Sequence, residues 1–102
     1  MARVIITKAL DKEMNKRLSK HQYYQAKDTF EELETQPHKG KHLRTIGRVF
    51  IKELRIGTFR FYFLTTHEHI PSQHIKFVAM SKKKDQQSTI ENIIASLTEN
   101  TH

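Results

Sequence analysis

Arg55 and Arg60 stand on either side of Gly57 in the segment Lys52-Glu53-Leu54-Arg55-Ile56-Gly57-Thr58-Phe59-Arg60-Phe61-Tyr62-Phe63. Side chains of an extended strand alternate between faces, so Arg60 and Tyr62 point away from Phe59, Phe61 and Phe63, and Glu53 and Arg55 point away from Leu54. The result is a hairpin with arginines sent outward from an aromatic face. A guanidinium is planar, carries its charge at any relevant pH and can hold two phosphate oxygens at once. The chemistry this pattern points to is the gripping of a phosphate backbone, and it marks a place where RNA could be processed.

The charge around the hairpin supports that reading. The formal net charge is +7, and from Lys39 to Arg60 there are seven basic residues (Lys39, Lys41, Arg44, Arg48, Lys52, Arg55, Arg60) against one acid, Glu53. A second basic run is Lys82-Lys83-Lys84, whereas Asp28, Glu31, Glu32 and Glu34 collect earlier in the chain. A small domain with so concentrated a positive field attracts polyanions, nucleic acid foremost. The plainer alternative is a solvated, lysine-rich surface.

The elements that position these residues follow from periodicity. Arg3 to Thr7 is a short β-branched run that suits a strand, and Leu10, Met14 and Leu18 recur at helical spacing directly after it. Ser19 with Gln22 forms a capping box for a second helix, whose stripe is Tyr23, Ala26, Phe30 and Leu33. Pro37 and Gly40 end that helix, and His38 to Gly47 reads as a polar loop. Strands are expected at Val49 to Ile56, Thr58 to Thr65 and His74 to Met80, joined by a turn at Gly57 and a loop from His67 to Gln73. Ser88 with Glu91 reads as the capping box of a last helix bearing Ile90, Ile93, Ile94 and Leu97. The expected fold is α+β in the order β-α-α-β-β-β-α, an antiparallel sheet whose phenylalanine face is covered by helices and whose other face is left concave and basic.

At 102 residues, with 36% hydrophobic content, the chain suits a single domain over 1–102, with 99–102 a frayed tail. It has no cysteine, so neither disulfides nor thiolate metal sites arise. The apolar run at the start is too short for a signal peptide, and no window is long enough to span a bilayer, so a cytoplasmic protein without a membrane role is expected. Of the seven histidines, His67-Glu68-His69 with His74 offers a chelate pattern. That stretch reads as a loop containing Pro71, with no second ligand pair at a familiar spacing, so no metal or other cofactor is expected. His38 and His42 flank the basic loop and would tune its charge at mildly acidic pH.

The order and spacing of several pieces resemble the RelE/ParE superfamily of small toxin-fold proteins. The pieces are Val4-Ile5-Ile6-Thr7-Lys8, Pro37-His38-Lys39-Gly40-Lys41-His42-Leu43, Lys52-Glu53-Leu54-Arg55, Phe59-Arg60-Phe61-Tyr62-Phe63 and Ser81-Lys82-Lys83. The resemblance implies a toxin of a toxin–antitoxin pair, with a separate antitoxin chain as partner. RelE-like members cleave messenger RNA on the ribosome, ParE-like members inhibit DNA gyrase, and some relatives have no established toxicity, so a gyrase inhibitor or a non-toxic protein-binding member is the alternative; the fold does not choose among these.

RNA cleavage of the RelE kind needs no metal. It requires a group to help the 2′-hydroxyl attack the neighbouring phosphate, cations to stabilise the developing charge and an acid for the departing oxygen. The resemblance assigns catalytic positions to Arg55, Arg60 and Lys83, or its neighbour Lys82. Glu53 is a candidate general base, or alternatively an ion-pair partner that relieves repulsion between Arg55 and Arg60. Arg48, Lys52, Lys82, Lys84 and Tyr62 are candidate RNA contacts, Tyr62 either as a stacking surface or as an ordinary strand residue with its hydroxyl at the rim. The chain departs from RelE-type nucleases in carrying Glu53 where lysine is common, and Thr89 near a position that often holds a tyrosine.

Overall fold

The computed structural model describes residues 3–36, 38–66 and 74–99. The β-branched run forms β1 (Arg3–Ile6), and Thr7 then caps α1 (Lys8–Arg17) by accepting the Leu10 N–H at 3.2 Å. Ser19 and Gln22 close the expected capping box with bonds of 3.1 and 2.8 Å, opening α2 (Lys20–Glu31). Two orphan donors at the helix start are thereby satisfied. The Tyr23 hydroxyl donates to Asp11 at 2.5 Å, tying α2 to α1. Leu10, Met14, Ala26, Phe30 and Leu33 are buried.

The sheet consists of β2 (Lys41–Ile46), β3 (Val49–Ile56), β4 (Phe59–Thr65) and β5 (His74–Lys82) together with β1, in the order β1-β5-β4-β3-β2. β1 runs parallel to β5, and the remaining neighbours are antiparallel. A short 3-10 turn (Lys83–Asp85) leads into α3 (Gln86–Glu99). The architecture is the expected α+β fold with one strand more, because 41–46 is extended rather than loop. The sequence hid this strand because Lys-His-Leu-Arg-Thr-Ile does not alternate in hydropathy. An edge strand with Leu43 and Ile46 only half-buried has no need to.

Two further expectations change. Ser88 does not cap α3: the helix starts two residues earlier, continuous with the 3-10 turn, and the Ser88 and Thr89 hydroxyls donate back to the Asp85 carbonyl at 3.1 and 2.8 Å. The second sheet face is not left open. α1 and α2 cover the phenylalanine face, where Phe30 stacks on Phe77 at 3.8 Å between ring centres and meets Phe61 edge-on. α3 packs on the opposite face, setting Ile90 and Ile93 against Ile51 and Tyr62. An alternating strand with large residues at both parities is buried on both sides, and β4 carries aromatic residues at both. Pro37, the His67 to Gln73 loop and the end of the expected frayed tail lie outside the described residues. No described helix is long and apolar enough to cross a membrane.

Candidate functional site

The register of three strands assembles the site. Arg55 lies opposite Arg60, Glu53 opposite Tyr62, and Arg60 opposite Ser81, so these side chains share the α3 face. Like charges directly opposite each other repel. Glu53 resolves the conflict between the arginines: its Oε1 accepts from Arg60 Nη1 at 2.5 Å and lies 3.8 Å from Arg55 Nε. Its Oε2 accepts from Gln86 Nε2, in the first turn of α3, at 3.0 Å.

Burial then divides the two arginines. The Glu53 and Arg60 side chains are 1% and 8% exposed, whereas Arg55 is 62% exposed. A buried ion pair is tolerable only when its remaining polar atoms are also bonded, and Gln86 supplies that bond. Arg60 is therefore committed to holding the carboxylate, while Arg55 presents its guanidinium to solvent. Glu53, with both oxygens engaged under α3, has the ion-pairing geometry left open by the sequence.

Tyr62 is fully buried and offers no exposed ring face for stacking. Its hydroxyl lies 2.8 Å from Ser81 Oγ, which itself donates to the Lys82 carbonyl, so the tyrosine is the donor of the pair. Burial raises the Tyr62 pKa above its ordinary value. The Asp11 hydrogen bond does the same for Tyr23. Groups with folded pKa values raised in this way stabilise the fold below the unfolded tyrosine pKa of about 10, and that contribution is lost as the pH rises past it. An alkaline titration followed by tyrosinate absorbance and circular dichroism is therefore expected to show ionisation of Tyr62 coinciding with loss of structure. The Tyr62→Phe variant should lose part of this alkaline sensitivity.

The other sequence candidates are dispersed. Lys82 lies opposite Phe59, with its Nζ 5.8 Å from that ring, and so faces the helical hairpin instead of α3. Lys52 lies opposite Phe63 and is buried on the same hairpin side. Arg48 is exposed in the turn before β3, roughly 23 Å from Arg55 by strand rise. These three do not join Arg55 because strand parity or strand length separates them from it. Lys83 and Lys84 are exposed in the turn that follows Ser81, two strand spacings or about 10 Å from β3. Of the residues singled out from the sequence, Arg55, Lys82, Lys83 and Lys84 are exposed cations at this end of the sheet, Lys82 on its helical-hairpin side.

Ser81 and Gln86 complete the network and were not singled out from the sequence. Ser81 had a signal in the Ser81-Lys82-Lys83 piece; Gln86 had none, because its role depends on where α3 begins. The His67-Glu68-His69 pattern lies outside the described residues. His42 is exposed, and its Nε2 lies 2.8 Å from Thr45 Oγ1.

No known family profile matches the sequence, and no curated protein matches it either. Solved structures do. A chain of the archaeal RelE–RelB complex from Pyrococcus horikoshii OT3 superposes with a TM-score of 0.68 at 21% identity, over 80% of this chain and 94% of that one. The isolated E. coli RelE toxin superposes with a TM-score of 0.54 at 17% identity, over 89% and 97%. At these identities the match speaks for architecture alone: the chain has the RelE-like toxin fold.

Proposed function

We propose that this protein is the toxin of a toxin–antitoxin pair, that it acts in the cytoplasm on ribosome-bound messenger RNA, and that Arg55 is the residue that grips the RNA phosphate. The observation that carries this reading is the division of labour between the two arginines. Glu53, held by Gln86, fixes Arg60 in the core and meets Arg55 only at Nε, 3.8 Å away. The Arg55 side chain is 62% exposed, so its terminal nitrogens can take a phosphate, with Lys83 and Lys84 adding positive field from the neighbouring turn.

For cleavage, the RNA's own 2′-hydroxyl attacks the adjacent phosphorus, the bond to the 5′-oxygen breaks, and the hydroxyl proton passes through water to the departing oxygen, while Arg55 and Lys83 stabilise the charge that grows on the phosphate oxygens. Glu53, whose side chain is 1% exposed, could take the hydroxyl proton only if α3 uncovered it. The burial of Glu53 favours a second reading in which the RNA is held on the ribosome without being cut. In either case the partner that silences the protein is an antitoxin on a separate chain, as RelB accompanies the archaeal RelE neighbour. An acidic segment suits a chain of net charge +7.

Arg55→Ala is expected to weaken RNA binding by roughly 10- to 100-fold, the range of one charge-assisted contact. Because the side chain is exposed, the melting temperature should stay within a few degrees of wild type. Fluorescence anisotropy with a labelled single-stranded RNA, paired with a thermal melt, measures both. Induction in cells separates the targets: translation arrest without DNA-damage signalling supports the ribosome, and the converse supports gyrase.

A further inference from the structure

Lys8, Lys12 and Lys16 recur at every fourth residue of α1, and Lys20 opens α2; all four are exposed. Leu10 and Met14 are the buried positions of α1, so at 3.6 residues per turn the three lysines run along the side facing directly away from the sheet. Successive members are about 6 Å apart along the axis, comparable to the spacing of phosphates along a nucleic-acid strand.

Helix physics accounts for Lys16 alone, which lies in the last turn of α1 beside the negative end of the dipole. Like charges at i, i+4 destabilise a helix, and a lysine at the first helical position sits against the positive end of the helix dipole. Lys8 and Lys20 both occupy first positions. Nor are the charges compensated locally. The acids of α1 are engaged elsewhere: Asp11 accepts the Tyr23 hydroxyl, and Glu13 pairs with Arg17 at 2.8 Å. Among the described residues, none of the four lysines pairs with a carboxylate.

We propose that this ridge is a second RNA-contact surface, separate from Arg55, that lies along the phosphate backbone of a structured RNA. The inference rests on the RNA-binding reading above and adds a second footprint to it. α1 packs on the phenylalanine face and Arg55 projects from the α3 face, so the two contacts lie on opposite sides of the sheet. A protein charged in this way can bridge two strands, holding the ribosome's structured RNA on one side and a single-stranded message on the other.

The test uses the full chain and the double variant Lys12→Gln/Lys16→Gln, titrated against a labelled RNA stem-loop over a range of salt concentrations. The expected result is roughly tenfold weaker binding and a salt dependence reduced by about 1.5 in log–log slope, two phosphate contacts' worth of released counterions. Its melting temperature should equal or exceed wild type, since repulsion has been removed. A labelled single-stranded RNA should bind the double variant within about twofold of wild type, because its contact is on the other side of the sheet. Unchanged affinity and slope in the double variant, with wild type binding normally, would overturn the ridge alone. A wild-type protein that binds neither RNA would overturn the RNA reading with it. A lower melting temperature in the double variant would show that the lysines serve the fold.

Discussion

Glu53→Ala is expected to lower the unfolding free energy by about 3–5 kcal/mol, because it strands a charge that has nowhere to go. Arg60 Nη1 donates to Glu53 Oε1, and the arginine side chain is only 8% exposed. Gln86 loses its acceptor at the same time, which loosens the first turn of α3. The carboxylate also screens two arginines placed directly opposite each other, so removing it restores their repulsion. Urea unfolding with an unchanged m-value measures the effect. The control is Glu53→Leu/Arg60→Met, which removes both charges and replaces them with apolar bulk. It should recover most of the loss, since a buried pair is often worth little against a hydrophobic replacement. A single-variant cost below about 1 kcal/mol, the range of an exposed ion pair, would mean that the site is wetter than the structure shows.

The second large effect is expected at Gly40, and it acts through backbone geometry. Gly40 has φ +101, a conformation that L side chains rarely adopt, and an added Cβ would come within 2.7 Å of Phe63 Cζ and 3.2 Å of the Glu53 carbonyl oxygen. Phe63 is fully buried against Phe77 and cannot swing aside without opening the core. Backbone strain of about 1–2 kcal/mol and overpacking of about 1–3 kcal/mol then combine, so Gly40→Ala should cost about 3 kcal/mol. Gly47 and Gly57 supply the comparison, since both have positive φ but nothing within 4 Å of a new Cβ. Alanine there should cost only the strain, about 1 kcal/mol. Equal costs at Gly40 and Gly57 would show that Phe63 yields easily. The close approach also links fold to site, because Gly40 abuts the backbone of the residue that holds both arginines.

The helical hairpin and the central strands were legible because each carries a complete local signal. Ser19 and Gln22 form the capping box their spacing implied, and Phe59, Phe61 and Phe63 take the face their alternation implied. The edge strand at 41–46 left no such trace, because a polar edge is stabilised by its neighbour's backbone and not by a hydrophobic stripe. At the site, alternation correctly placed Glu53, Arg55, Arg60 and Tyr62 on one side of the hairpin. It could not show that α3 would fold over that side, since the amphipathic face of a helix does not name its docking surface. That one packing event buries Tyr62 and Arg60, leaves Arg55 outside and brings Gln86 to the carboxylate. Parity accounts for the remaining differences: Lys52 and Lys82 are neighbours of site residues in sequence and lie on the other face in space.

The exposed Arg55, and not the buried Arg60, is proposed to engage messenger RNA on the ribosome. The most direct measurement is inhibition of a purified cell-free translation reaction by the wild-type protein and by Arg55→Ala, followed with a reporter and with the size of the programmed message. The expected result is translation arrest by wild type, with at least tenfold more of the folded Arg55→Ala variant needed for the same arrest. Translation that proceeds normally with wild-type protein present, or arrest by Arg55→Ala at the wild-type concentration, would contradict it.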